Sequence, residues 1–287
     1  MRLATILHAG TQRWGVVDGQ QLWPLDHVWP DLRTALGGGL DAIRAALVQV
    51  SDALPLEEAR LLPPIPNPEK ILAIGVNYRS HREETGREAT PYPAVFVRFP
   101  DAQVGDGEAI VKPFLSDRFD FEAELAVVIG RAGRHIAAAD ALDHVAGYSC
   151  FADNAVRDFQ RHTNQATPGK NFDRSGAFGP WLVTADEIGD PAQLELVGRL
   201  NGEEVQRSSV GLLIFSVPEL IAYISSFTTL KPGDVIATGT PAGVGMKRTP
   251  PLFMKAGDVF QVEISGIGTL TTPVIDEQKG GADAVDL

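Results

Sequence analysis

Short runs of apolar residues, four to eight residues long, recur along most of the chain and predict β-strands. The candidate strands cover residues 70–76, 94–98, 122–129, 147–152, 194–200, 235–238, 259–264 and 269–275. The clearest helix is predicted over residues 216–226, where Ser216 and Glu219 form a capping box. Because few helices separate the strands, the pattern favours an antiparallel or mixed sheet over a doubly wound parallel sheet. We therefore expect an α+β, β-rich fold built on a mixed β-sheet roll.

The first 65 residues carry a pattern of their own. Short β-like runs at 3–7, 14–17 and 21–23 precede an amphipathic helix at 40–50. Residues 63–68 then contain four prolines in six positions, which removes amide donors and favours extended backbone, as in a linker. The sequence therefore predicts a small N-terminal α+β domain over 1–65, a larger domain over 66–276 and a flexible tail over 277–287.

The charge of the chain narrows the classes of partner. Lys and Arg number 25 against 37 Asp and Glu, which gives a formal net charge of −12. Such a surface repels a phosphate backbone and an anionic bilayer, so we expect neither a nucleic-acid nor a membrane partner. The sequence shows no signal-peptide pattern and no apolar run long enough to span a bilayer. Its single cysteine, Cys150, excludes an intrachain disulfide, and together these features indicate a cytoplasmic protein.

Two acids lie at the mouth of the most apolar candidate strand. Glu122 and Glu124 lead into a run that stays apolar to Ile129. In a strand their side chains point to the same face, about 6.6 Å apart. Two carboxylates at the entrance of a buried strand repel each other unless a cation lies between them. The alternative is the solvated face of an exposed strand end.

A third acid, Asp153, directly follows the candidate strand at 147–152. A strand end can aim such a side chain into a cleft, although helix capping by Asp153 or Asn154 is an equal alternative on local grounds. If Asp153 meets Glu122 and Glu124, three oxygen ligands without sulfur select a hard cation. Mg²⁺ and Mn²⁺ fit such a set, and they keep positions open for water or a chelating substrate.

Several motifs, in fixed order, resemble the fumarylacetoacetate hydrolase family over about residues 70–276. They are the segments 75–84, 120–125, 153–158 and 230–245, together with Lys170, Gly179-Pro180, and Asn201-Gly202-Glu203 with Gln206. The resemblance implies a mixed β-roll catalytic domain, a homodimer, and a setting in the breakdown of aromatic compounds. It also implies one divalent cation, Mg²⁺ or Mn²⁺ with Ca²⁺ as a further candidate, held by Glu122, Glu124 and Asp153.

The resemblance assigns His81 and Glu84 to a catalytic dyad. Their spacing places both side chains on one face of a short helix or turn, where the carboxylate can orient the imidazole as a general base. The alternative is a surface ion pair on an arginine-rich loop. Lys170 follows Pro168-Gly169 and is predicted to act as a fixed positive donor to an oxyanion, with a solvated loop lysine as the alternative.

A small anionic substrate is expected. The segment 157–174 holds four basic residues against two acids, although pairing of this loop with its own acids is an equal alternative. The candidate substrate-binding residues are Tyr78, Arg79, Arg98, Arg157, Gln206 and Thr240. Arg98 stands where the family commonly has lysine, and its planar fork predicts different substrate recognition. The Thr240 hydroxyl lies in a Gly/Pro-rich loop suited to a substrate carboxylate.

The hypothesis that follows is a divalent-metal-dependent hydrolase that cleaves a carbon–carbon bond in an acylpyruvate or related β-diketo acid. The 2-oxo-carboxylate end chelates the cation, His81 activates a water, and Lys170 stabilises the oxyanion. The alternative is an isomerase, tautomerase or decarboxylase of an oxo diacid, because the same enolate chemistry serves all of them and fold does not decide between them. A remote alternative is a non-catalytic dicarboxylate-binding domain.

Overall fold

Strands dominate the fold that the computed structural model describes over residues 1–278. The strands are β1 (Arg2–His8), β2 (Thr11–Asp18), β3 (Gln21–Pro24), β4 (Leu54–Pro55), β5 (Arg60–Leu62), β6 (Ile71–Gly75), β7 (Ala94–Arg98), β8 (Gln103–Val104), β9 (Ile110–Lys112), β10 (Phe119–Asp120), β11 (Ala123–Ile129), β12 (Val145–Ala152), β13 (Ala155–Val156), β14 (Gly176–Thr184), β15 (Glu195–Leu200), β16 (Glu203–Ser209), β17 (Val235–Ala237), β18 (Val259–Ile264) and β19 (Gly268–Asp276). The helices are α1 (Leu32–Gly37), α2 (Leu40–Leu47), α3 (Arg79–Thr85), α4 (Thr167–Lys170), α5 (Ala185–Ile188) and α6 (Val217–Phe227). The predicted α+β, β-rich class is confirmed.

The larger sheet is mixed and has twelve strands. Its order is β4-β3-β2-β1-β14-β12-β11-β17-β6-β7, with β5 paired to β1 and β8 paired to β14. Most neighbours run antiparallel, whereas β17 and β6 run parallel. A second sheet, in the order β16-β15-β18-β19-β9, packs across β11, β12 and β14. The mixed sheet predicted from the strand spacing is therefore present.

Strand β11 is buried along its whole length, and its two faces pack into different cores. Leu125 and Val127 join the core between the two sheets, whereas Ala126 and Val128 join the core under α1 and α2. Burial on both faces explains why the strand has no polar alternation. Glu124 lies on the same face of β11 as Ala126 and Val128, at the end of the strand nearer the N-terminus. The first residues of a rigid strand thus include Glu124, and Glu122 directly precedes that strand.

The N-terminal 65 residues extend the main sheet. Strand β1 pairs with β14 through Arg2 and Leu3, and it pairs with β5 on its other end. Ile65, inside the proline-rich segment, is buried in the core that also contains residues of β11 and β12. The segment after β5 is therefore packed against the sheet, and it does not behave as a free linker. The division of the chain at residue 65 stays a prediction.

Local signals for α6 agree with the structure. The Ser216 side chain accepts from the Glu219 amide, and the Ser216 amide donates to the Glu219 carboxylate, which completes the capping box. By contrast, β14 was not predicted, because Gly179 and Pro180 interrupt its apolar pattern. Cys150 is buried in β12, and burial raises the pKa of its thiol, as expected for an inert core cysteine.

The predicted flexible tail, 277–287, falls almost entirely outside the described residues. Within them, the Glu277 amide donates to the Lys112 carbonyl, and the Glu277 carboxylate accepts from the Phe114 amide. In the described part of the chain, every helix is too short or too polar to cross a membrane.

Candidate active site

Three acids meet where β11 begins and β12 ends. The two strands are antiparallel with Ala123 opposite Ala152, so the residues just before one strand lie beside those just after the other. The Asp153 amide donates to the Glu122 carbonyl at 2.9 Å, which extends the ladder by one step. One carboxylate oxygen from each of Glu122, Glu124 and Asp153 lies within 4.8 Å of the others, and all three side chains are buried. The register of two strands thus assembles the predicted group.

Three buried cations surround these acids. Lys170 Nζ lies 2.6 Å from Glu122 Oε2 and 2.7 Å from Asp153 Oδ2. Arg157 Nη2 lies 2.6 Å from the other Glu122 oxygen. Arg98 Nη1 donates to Asp153 Oδ1 at 2.6 Å. Each cation therefore holds a carboxylate in a fixed orientation.

The pKa values of the two glutamates move in opposite directions. Burial alone would raise the pKa of Glu122, but the charges of Lys170 and Arg157 outweigh it and lower this pKa to about 2. Burial raises the pKa of Glu124 well above 4.5, and the charges of Asp153 and Glu122 add to the effect. Glu124 is therefore the acid whose negative charge the protein leaves least compensated.

This donor set fits one divalent cation. The ligands are carboxylate oxygens without sulfur or imidazole, which suits Mg²⁺ or Mn²⁺. We call the three acids, together with Asp120, Arg98, Arg157 and Lys170, the inner cluster. Its four carboxylates face three cations, so a divalent cation would change its formal charge from −1 to +1. A cluster of net positive charge then suits an anionic ligand.

The His81–Glu84 pair lies on α3, as the spacing predicted. His81 Nδ1 is 3.0 Å from Glu84 Oε2, and the histidine side chain is buried. Glu84 Oε1 accepts from the Gly243 amide at 2.9 Å. With Nδ1 engaged by the carboxylate, Nε2 is the ring nitrogen left for proton transfer.

One loop, residues 238–246, binds the acids on both sides of the site through its amides. The Gly239 amide donates to Glu124 Oε2, and the Gly243 amide donates to Glu84. The Gly245 and Met246 amides both donate to Asp120, whose carboxylate in turn accepts from Arg157 Nε at 2.7 Å. Gly239 and Gly243 adopt φ values of +107° and +106°, which favour glycine. We call this segment the amide loop.

A cleft of about 640 Å³ opens in front of these groups. The predicted site residues that line it are Glu122, Glu124, Asp153, His81, Arg157, Lys170 and Thr240. Gly169, directly before Lys170, packs closely on the Gln160 backbone, and a Cβ at Gly169 would lie 2.4 Å from the Gln160 nitrogen. The structure thus brings the acids, the histidine and two of the predicted cations to one cavity.

Arg98, predicted to bind substrate, lies away from the cleft in the structure. Its side chain is fully buried behind Asp153 and also donates to the Asn154 carbonyl at 2.9 Å. It is absent from the described residues that line the cleft. Arg98 therefore orients the Asp153 carboxylate of the inner cluster. The local sequence does not indicate whether Arg98 would face the cleft or the protein interior.

Gln206 makes its hydrogen bonds within the protein. Its Oε1 accepts from the Ala123 amide, while its Nε2 donates to Thr240 Oγ1 and to the Pro241 carbonyl. The Thr240 hydroxyl donates in turn to the Ala123 carbonyl. Gln206 therefore joins β11 to the amide loop, and the Thr240 hydroxyl, though at the cleft, is already engaged at both ends.

Tyr78 and Arg79 lie outside the described lining of the cleft. Tyr78 is fully buried, and burial together with the charge of Glu124 raises the pKa of its phenol. Arg79 is exposed at the start of α3. Neither contacts the cavity as predicted, because the helix turn presents His81 there instead.

Three basic residues of the cleft come from separate parts of the chain. They are Arg87, Arg161 and Lys247, which we call the outer wall. Sequence reasoning included Arg161 only as part of a positive stretch, and it missed Arg87 and Lys247. Arg174, from the same stretch, instead directs its guanidinium to the Ala109 carbonyl at 3.5 Å. Contacts between distant loops carry no local signal.

Known proteins are similar to this chain in sequence and fold. The family model "Fumarylacetoacetate (FAA) hydrolase C-terminal" matches residues 70–275. The mitochondrial oxaloacetate tautomerase FAHD2A of Bos taurus is 42% identical over 238 residues, which cover 82% of this chain and 76% of that protein.

Two solved structures are also similar. The 5-carboxymethyl-2-hydroxymuconate delta-isomerase of Mycobacterium smegmatis is 33% identical with a TM-score of 0.79, over 97% of this chain and 100% of that one. The maleylpyruvate hydrolase of Sphingobium sp. SYK-6, solved with manganese(II) and pyruvate, is 32% identical with a TM-score of 0.80 and the same coverage. The chain is therefore an enzyme that belongs to the fumarylacetoacetate hydrolase family.

Proposed function

We propose that this enzyme is a divalent-metal-dependent tautomerase that interconverts the keto and enol forms of a 2-oxo acid such as oxaloacetate. The observation that carries the proposal is the placement of His81, held by Glu84, in the same cleft as the three-carboxylate group. Enolisation requires a proton acceptor and a group that stabilises the developing oxyanion, and this cleft contains candidates for both. The names of the oxaloacetate tautomerase and hydroxymuconate isomerase relatives favour this chemistry over the hydrolysis predicted first.

Glu122, Glu124 and Asp153 would hold Mg²⁺ or Mn²⁺, and the manganese in the maleylpyruvate hydrolase structure supports this choice. When bound, the cation supplies Lewis-acid polarisation of the substrate's 2-oxo-carboxylate end. Arg157 and Lys170 keep Glu122 ionised and therefore ready to bind the cation.

The protein's own residues move and hold the proton. His81 Nε2 takes a proton from the carbon next to the ketone, while Glu84 holds the proton on Nδ1 and fixes the ring. Lys170, buried beside Glu122 and Asp153, supplies a fixed positive charge next to the developing oxyanion. Return of the proton to the substrate oxygen completes the enol, and the reverse sequence regenerates the ketone.

Hydrolysis of a carbon–carbon bond is a second candidate, since the maleylpyruvate hydrolase has a similar fold and the alignment covers 97% of this chain and 100% of that one. It needs the same histidine to activate water. Product analysis by NMR separates the two reactions, because only the hydrolase consumes water and releases two carbon fragments.

The test of the tautomerase is His81→Asn, assayed on oxaloacetate with the Mn²⁺-loaded protein. We expect kcat to fall about 10³-fold, since positioned general bases typically contribute 10²–10⁴-fold. Manganese affinity should change less than about twofold, because the ring is not part of the three-carboxylate group. The matched control is His27→Asn, an exposed histidine outside the cleft. A His81→Asn enzyme with wild-type kcat contradicts the proposal.

A further inference from the structure

The charged residues of the cleft are unevenly distributed. Every acid among its described lining residues belongs to the three-carboxylate group: Glu122, Glu124 and Asp153. The remaining charged lining residues are all basic: Arg157 and Lys170 of the inner cluster, and the three outer-wall residues Arg87, Arg161 and Lys247. Because the chain has a net charge of −12, its overall composition does not account for a cleft surface on which all charged residues outside the three-carboxylate group are positive.

The outer wall also lacks internal compensation. Arg157 and Lys170 each contact at least one carboxylate within 3 Å. In the described part of the chain, none of the three outer-wall residues forms an ion pair with an acid. All three are solvent-exposed, so their charge is available to a ligand that enters the cleft.

Neighbouring residues form a continuous path from the inner cluster to the outer wall. Arg157 contacts Glu122 and donates to Gln160 Oε1 at 3.0 Å. Arg161 follows Gln160 directly, and its guanidinium lies 4.0 Å from Met246 Sδ, next to Lys247. A ligand with one end at the three-carboxylate group therefore finds cationic donors along this side of the cavity.

We infer that the outer wall is a subsite for a second carboxylate, which makes the enzyme selective for 2-oxo diacids over 2-oxo acids with a neutral tail. The inference rests on the proposed function for the position of the 2-oxo-carboxylate end. Arg161 and Lys247 bind the distal carboxylate from one side, and Arg87, from the segment after α3, binds it from the side that carries His81. The selectivity is one of binding, and it involves no bond-making step.

The test is a binding comparison that does not depend on turnover. Isothermal titration of the Mn²⁺-loaded protein measures Kd for 2-oxoglutarate and for 2-oxopentanoate, which have the same chain length and differ only at the distal end. We expect the wild type to bind the diacid at least about tenfold more tightly. The Arg161→Gln/Lys247→Gln double variant should reduce this ratio below about threefold and leave the Kd for 2-oxopentanoate unchanged.

The control is Arg118→Gln/Lys255→Gln, which makes the same charge change at exposed residues outside the cleft lining. Equal Kd values for the two acids in the wild type, binding of neither acid, or an equal loss of selectivity in the control would overturn the inference. A wild type that selects the diacid but does not tautomerise oxaloacetate would leave the subsite standing and remove the proposed function alone.

Discussion

The inner cluster and the outer wall place charged side chains at the same cleft, but they differ in burial and in ion pairing. Within the inner cluster, carboxylates and cations are buried and meet at 2.6–2.7 Å. The outer-wall cations are exposed and unpaired among the described residues. Removing one member of a buried network leaves its partner uncompensated, whereas exposed charges contribute little to folding. In the proposed function the inner cluster supplies the chemistry and the outer wall supplies the contact to the substrate's distal end, so the two can be changed separately.

The strongest test of this comparison is Glu124→Gln. We expect Mn²⁺ affinity to fall at least about 100-fold and turnover about 10⁴-fold, because a charged ligand and the polarising cation are lost together. The metal-free variant should nevertheless unfold at the same temperature as wild type or higher, because burial and neighbouring acids disfavour the Glu124 carboxylate. Thermal unfolding with and without Mn²⁺ measures both effects.

The control for Glu124→Gln is Asp140→Asn, at an exposed acid that does not line the cleft. It should retain the full Mn²⁺-induced rise in unfolding temperature. An equal rise in Glu124→Gln would show that the inner cluster is not the metal site.

A smaller effect is expected from Arg98→Lys, which keeps the charge but loses the planar guanidinium whose Nη1 donates to both Asp153 Oδ1 and the Asn154 carbonyl. Mn²⁺ affinity should fall about tenfold, as when a residue that orients a metal ligand is changed. The ratio of Kd values for 2-oxoglutarate and 2-oxopentanoate should not change. If the ratio did change, Arg98 would contact the substrate after all, as the sequence predicted.

The smallest effect is the release of a proton. Because the pKa of Glu124 is raised above 4.5 in the folded protein, this carboxyl holds a proton at pH values between 4.5 and its raised pKa. Over that window the folded state binds more protons than the unfolded state, so the metal-free protein loses stability as the pH rises. Binding of Mn²⁺ should release up to about one proton.

Titrations with Mn²⁺ in two buffers of different ionisation enthalpy measure this release. Glu122, with its pKa lowered to about 2, is already ionised in the same window and contributes nothing. Glu124→Gln should therefore abolish the release, and a release that persists in this variant would point to another group.

The sequence predicted the inner cluster better than the outer wall, for a physical reason. Alternation along a strand places Glu122 and Glu124 on one face, and the pairing of two apolar strands brings Asp153 to them. Strand alternation and strand pairing produce regular patterns of apolar and polar residues that can be recognised in the sequence. Arg87 and Lys247 reach the cleft through loops far apart in sequence, and no periodicity connects them.

The same limit explains why the sequence did not indicate the protein partners of Arg98 and Gln206. Their residue types suggested hydrogen bonding, which the structure contains, but the partner depends on tertiary packing. Arg98 bonds Asp153, and Gln206 bonds the Ala123 amide. The structure shows hydrogen-bond partners within the protein for both side chains, and their contact with a substrate stays a prediction.

The amide loop has a consequence for how this enzyme can change over generations. Its backbone N–H groups, spaced between Gly239 and Met246, hold Glu124, Glu84 and Asp120 at once. Inserting or deleting one residue there would shift the acid that orients the histidine relative to a metal ligand. We therefore expect substrate preference to change through single substitutions at Arg87, Arg161 and Lys247. The length of the amide loop should stay constant, because the loop positions both a metal-binding acid and the acid that orients His81.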